Sequence, residues 1–89
     1  MVFLISYDLR QPGRDYADLH KAIKSFATWA KPLESVWLVD TYLSAKDIYA
    51  RLSPYLDQND LIFITPIGRG SYGVIPREVW TWLANRVYA

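Results

Sequence analysis

Three short apolar runs constrain the fold more than any other feature of the chain: VFLISYDL at 2–9, ESVWLVDTYL at 34–43 and DLIFITPI at 60–67. Each is rich in β-branched and aromatic residues, and each predicts a strand. Between the first two lies RDYADLHKAIKSFATW (14–29), where Tyr16, Leu19, Ile23 and Phe26 recur at helical spacing and Asp15 near the start complements the helix dipole. Pro32 forbids continuation of that helix, and WAKPL (29–33) is a candidate partner strand for the second run. Between the second and third runs, SAKD (44–47) reads as a capping-box-like start with Asp in place of Glu. Ile48, Leu52 and Leu56 then line one helical face, and Pro54 inside that pattern predicts a break with Ser53 capping a fresh turn.

Strand, helix, one or two strands, helix, strand is the order of a split β-α-β unit. It predicts an α+β, ferredoxin-like βαββαβ sandwich with an antiparallel sheet and both helices on one face. The other face must also be covered. PREVWTWLANRVY (76–88) supplies a terminal helix, with Pro76 where a helix favours it and Val79, Trp80, Leu83 and Val87 in a 3-4 pattern. That helix, a second subunit, or both are the candidates for the cover. The 89 residues form a single expected domain, with a core at 2–67 and a C-terminal loop and helix at 68–89. So small a domain buries a modest fraction of its surface. With 52% hydrophobic residues, four Trp and seven Tyr, the chain is expected to form a tight homodimer.

GRGSYG (68–73) spells the G-x-G-x-x-G of a dinucleotide loop, but its context is wrong. That fingerprint needs a strand before it, a helix opening within it, and a later acidic residue and strand. Only sixteen residues follow Gly73, and the helical pattern starts at Pro76. The stretch is expected to be a connector, and no nucleotide cofactor is expected. Arg69 and neighbouring backbone amides remain candidate phosphate contacts.

Ten Lys and Arg against nine Asp and Glu give a net charge of +1, so any nucleic-acid role rests on a local patch. The absence of cysteine excludes disulfides and thiolate chemistry, and one histidine, His20, makes zinc a poor fit. His20 is expected at a surface or interface rather than in catalysis. The first apolar run is too short for a signal peptide and no segment approaches membrane-spanning length, so a cytoplasmic protein without membrane contact is expected. Asp8 closes the first strand, where ligand sites often lie in sheet proteins. Two readings of it stand: a turn carboxylate before QPG, or a Mg²⁺ ligand completed by its symmetry mate in a dimer. Arg10 and Arg14 flank that turn and, with Arg69, are the candidate phosphate contacts. Ser6 and Ser35 have no adjacent base for nucleophilic chemistry. Tyr7, Trp37 and Tyr42 are open to two roles, base stacking or burial in a core or dimer interface.

YDL (7–9) at the end of the first strand, the amphipathic segment after it, SVWLV (35–39) and DLIFITPI together resemble the CRISPR-associated protein two (Cas-two) family and its stand-alone relatives, over residues 2 to about 67. The resemblance implies a ferredoxin-like fold and a homodimer whose sheets face each other. It also implies a nucleic-acid role, with Asp8 near the dimer axis as the catalytic, metal-binding residue of a Mg²⁺-dependent endonuclease. Some relatives instead bridge a spacer-integration complex, which would imply an integrase partner and leave this aspartate without a catalytic role. The rival from another class is a non-catalytic scaffold or protein-interaction dimer in which Asp8 caps a turn.

Overall fold

The structure, a computed structural model, describes residues 1–11 and 13–88. Pro12 of the QPG stretch and the final Ala89 lie outside the described residues. Four strands, β1 (Val2–Asp8), β2 (Thr28–Leu33), β3 (Val36–Asp40) and β4 (Leu61–Ile67), form one antiparallel sheet in the order β2-β3-β1-β4. Helices α1 (Ala17–Lys24) and α2 (Ala45–Leu52) are the crossovers, a 3₁₀ turn at Ser53–Tyr55 follows α2, and α3 (Arg77–Ala84) is the last element. This is the ferredoxin-like α+β arrangement with an added terminal helix.

Alternation along β1 divides the core in two. Phe3, Ile5 and Tyr7 point to the α1/α2 side, where they pack with Leu19, Ile23, Phe26, Trp37, Val39, Ile48 and Leu52. Val2 and Leu4 point the other way, where α3 lays Val79 and Leu83 over Val2, Ala30 and Leu38. No buried side-chain polar atom lacks a partner among the described residues.

Local chemistry accounts for the element ends. Ser44 caps α2, its Oγ accepting from the Asp47 N–H at 3.1 Å, as the S-x-x-D pattern predicts. Pro54 ends α2 and sits in the 3₁₀ turn; no side chain caps that turn, so Ser53 does not take the predicted role. Helix α1 stops at Lys24, short of the helical spacing that runs to Phe26. Thr28, Trp29 and Ala30 pair with Asp40, Val39 and Leu38 instead, because the edge of the sheet offers the backbone a ladder. Phe26 is still buried, from the turn rather than from the helix. Pro32 lies in β2, where the pairing register shifts between Ala30 and Leu33; an edge strand tolerates a missing N–H. Residues 68–75 form an irregular connector, and Gly70 (φ 104°) takes a conformation that suits glycine.

Candidate nucleic-acid and metal interface

Asp8 is the last residue of β1 and pairs with Leu61, the first of β4. By strand alternation it shares the sheet face of Val2 and Leu4, the face opposite α1 and α2. Helix α3 covers that face only at the far end, over Val2, Ala30 and Leu38. The half nearest Asp8 is bare. Cross-strand pairing sets Ser6 opposite Val36 and Phe63, and Leu33 opposite Val36. Within this strip Leu33, Leu61 and Phe63 are 55%, 52% and 65% exposed. Exposed apolar side chains gathered on one sheet face are a candidate interaction surface.

The Asp8 carboxylate is exposed and paired. Arg10 donates to its Oδ2 twice, from Nε at 3.1 Å and from Nη2 at 2.9 Å. No described residue donates to Oδ1. The main chain beneath the pair is clamped by Asp60, the residue just before β4. Asp60 Oδ1 accepts from the Arg10 N–H at 2.8 Å and from the Tyr16 hydroxyl at 2.9 Å. Its Oδ2 accepts from the Asp57 N–H at 2.7 Å. Burial alone would raise the Asp60 carboxyl, but the Arg10 and Asp57 N–H groups, the Tyr16 hydroxyl and the charge of Arg14 outweigh it and hold the group below its usual range. Partial burial, followed by the hydrogen bond to Asp60, pushes the Tyr16 phenol upward.

The three predicted arginines are not brought together. Arg10 stands on Asp8. Arg14 is tied down: Nη1 meets Asp57 Oδ2 at 2.7 Å, Nη2 reaches the Tyr55 carbonyl, and its guanidinium lies 5.3 Å from the Tyr16 ring centroid. Arg69 follows the opposite end of β4, about 20 Å along the strand from the Asp8 level. There it stacks 5.0 Å from the ring centroid of Tyr88. Arg10 is therefore the predicted arginine placed to share a ligand with Asp8.

Tyr7 and Trp37 are buried, which removes them as base-stacking platforms, whereas Tyr42 is fully exposed. Trp37 Nε1 donates to the Tyr7 hydroxyl at 3.0 Å, and that hydroxyl lies 3.2 Å from His20 Nε2. An indole N–H can only donate, so Tyr7 has its own proton for His20, and the network assigns a neutral imidazole with an unprotonated Nε2. Burial lowers the His20 pKa, Lys31 and Lys24 lower it further, and Asp15 opposes them. His20 is thus a half-buried structural acceptor rather than a surface group.

Among the described residues no three His, Cys, Asp or Glu side chains cluster to hold a metal. A lone exposed carboxylate with a free oxygen fits the open type of Mg²⁺ site, which takes one or two carboxylates and fills its shell with water and phosphate oxygens. Asp8 is the residue that would hold such an ion.

Asp8 and Arg10 stand out in the sequence by their place at and just after a strand end. Asp57, Asp60 and the anchoring role of Tyr16 do not. The one available signal was an acidic residue before the third apolar run; Tyr16 read only as a member of a helical stripe.

Neither a protein-family model nor a curated protein matches the chain. Among solved structures, the hypothetical protein TT1823 from Thermus thermophilus is similar, with a TM-score of 0.61 and 25% identity over 84% of this chain and 93% of that one. The likeness supports the α+β fold. No helix among the described residues is long and apolar enough to cross a membrane.

Proposed function

We propose that the chain acts as a Cas-two-like homodimer that contacts nucleic acid, with two Asp8 carboxylates near the dimer axis and Arg10 positioning the phosphodiester. The observation that carries this reading is the location of Asp8 on the rim of the bare apolar half of the sheet. An isologous pairing through Leu33, Leu61 and Phe63 covers that half and draws two copies of Asp8 towards one axis. The pair then supplies the second carboxylate that a single chain lacks.

In this reading the reaction is phosphodiester hydrolysis. Mg²⁺, when bound, polarises the phosphate and lowers the pKa of a water. The chain's own part is narrower. Asp8 holds the cation, Arg10 offers a guanidinium to a non-bridging phosphate oxygen, and the Asp60 clamp fixes the backbone that carries Arg10. The expected experiment is cleavage of labelled single-stranded RNA and DNA with Mg²⁺ by the wild type and by Asp8→Ala. Cleavage that disappears in the variant supports the assignment. Cleavage that survives it removes Asp8 from the mechanism.

A second reading is favoured by the ion pairs themselves. Asp8 and Arg14 both have internal partners, as a folded scaffold with no nucleic-acid ligand would arrange them. A dimer that shows neither cleavage nor salt-sensitive binding of nucleic acid would establish this scaffold reading. Binding that weakens steeply as salt rises would reject it.

A further inference from the structure

The Asp8–Arg10 pair has an asymmetric geometry. Both guanidinium donors fall on Oδ2, and Oδ1 has no donor among the described residues. The pair is therefore a single-oxygen contact rather than the two-oxygen fork in which arginine binds a carboxylate most firmly. Both side chains are more than half exposed, so the bond is weak and open to exchange. The base of Arg10 cannot follow its tip, because the Arg10 N–H is held by Asp60, which is itself held from Tyr16 and Asp57. What remains free to move is the side chain alone, from Cβ to the guanidinium.

We propose that Arg10 is a displaceable internal counter-ion of Asp8, moving from the carboxylate to a phosphate group of the bound nucleic acid and thereby coupling anion binding to divalent-cation binding. In the free protein the guanidinium occupies one oxygen of Asp8 and repels an approaching cation. A phosphodiester competes for the same guanidinium through the same donors. Once the guanidinium has swung across, the whole carboxylate faces the ligand and the nearest positive charge is neutralised by phosphate. Linkage makes the effect reciprocal: a cation on Asp8 frees Arg10 for the anion by the same factor. This inference rests on the proposal that Asp8 is the cation ligand, and the experiment separates the two.

The test uses the full chain as wild type, Arg10→Gln and Asp8→Asn, each checked for unchanged far-ultraviolet circular dichroism. Calorimetric titration with Mn²⁺, in the absence of nucleic acid, is expected to show Arg10→Gln binding about three- to tenfold more tightly than wild type, as removal of one exposed adjacent charge implies. Asp8→Asn is expected to lose that binding. In EDTA, a fluorescein-labelled single-stranded DNA 20-mer is expected to bind Asp8→Asn several-fold more tightly than wild type, because the guanidinium no longer has a competitor. Equal or weaker Mn²⁺ affinity in Arg10→Gln, with binding still lost in Asp8→Asn, overturns the counter-ion and leaves Asp8 as the cation ligand. Unchanged DNA affinity in Asp8→Asn overturns the transfer of Arg10 to phosphate. Mn²⁺ binding that does not depend on Asp8 in any of the proteins overturns the metal assignment and the coupling with it.

Discussion

Asp60 holds the start of β4 against the turn that leaves β1, and the geometry around Asp8 depends on it. Three donors converge on its carboxylate. Asp60→Ala is expected to lower the thermal unfolding midpoint by roughly 5–10 °C, since it strips hydrogen bonds from a charged, half-buried acceptor. The lowered pKa of Asp60 means that the folded state binds this proton less readily than the unfolded one. Its contribution is therefore present above about pH 4 and lost as pH falls through the folded-state value. His20 obeys the same sign in a different window. Its pKa is lowered by burial and by Lys31 and Lys24, so stability holds above about pH 6.5 and declines as the pH falls below it. Urea unfolding of wild type at pH 7.5 and 5.5 should show that decline, and His20→Gln should flatten it. An equal decline in the variant would assign the effect to another group.

At the scale of elements, α3 separates two halves of one sheet face. Val79 and Leu83 are buried against Val2, Ala30 and Leu38, while Tyr72 and Val74 in the preceding connector are almost fully exposed. Leu83→Ala is expected to cost about 2–4 kcal/mol in chemical denaturation, the usual range for emptying a buried leucine site. Val74→Ala should change the stability of the single chain by less than about 0.5 kcal/mol. The strands were legible because short β-branched runs have few other uses, and β1, β3 and β4 fall within the three apolar stretches. The end of α1 was not legible. Phe26 continues the helical spacing, yet a turn leading into a paired edge strand buries it equally well, so periodicity could not choose between them. The same limit applied to the site. A carboxylate at a strand end can be found by position, but the Tyr16–Asp60 bond joins residues 44 apart and leaves no spacing to read. Arg14 illustrates the cost: adjacent in sequence to the Asp8 turn, it is spent on Asp57.

The whole molecule presents an apolar half-face with a charged rim. If two copies close over it, Phe63→Glu should convert the dimer to a monomer, read by light scattering on a sizing column, because the substitution places a carboxylate in the middle of the paired surface. The fold should survive, since Phe63 is 65% exposed in the single chain. A wild type that runs as a monomer at every concentration overturns the pairing. A variant that remains dimeric moves the interface to another surface.

The irregular β2 strand bears on how far such association can go. A sheet with two serviceable borders can recruit neighbours on both sides and lengthen without limit. Here one border carries Lys31, Pro32 and a shift of register. It offers an interrupted row of amide groups and a cation to any strand that approaches, whereas β4 at the opposite border runs for seven residues with a single proline. Strand addition from the β2 side is therefore disfavoured. An irregular outer margin of the sheet thereby guards against fibre growth through β2.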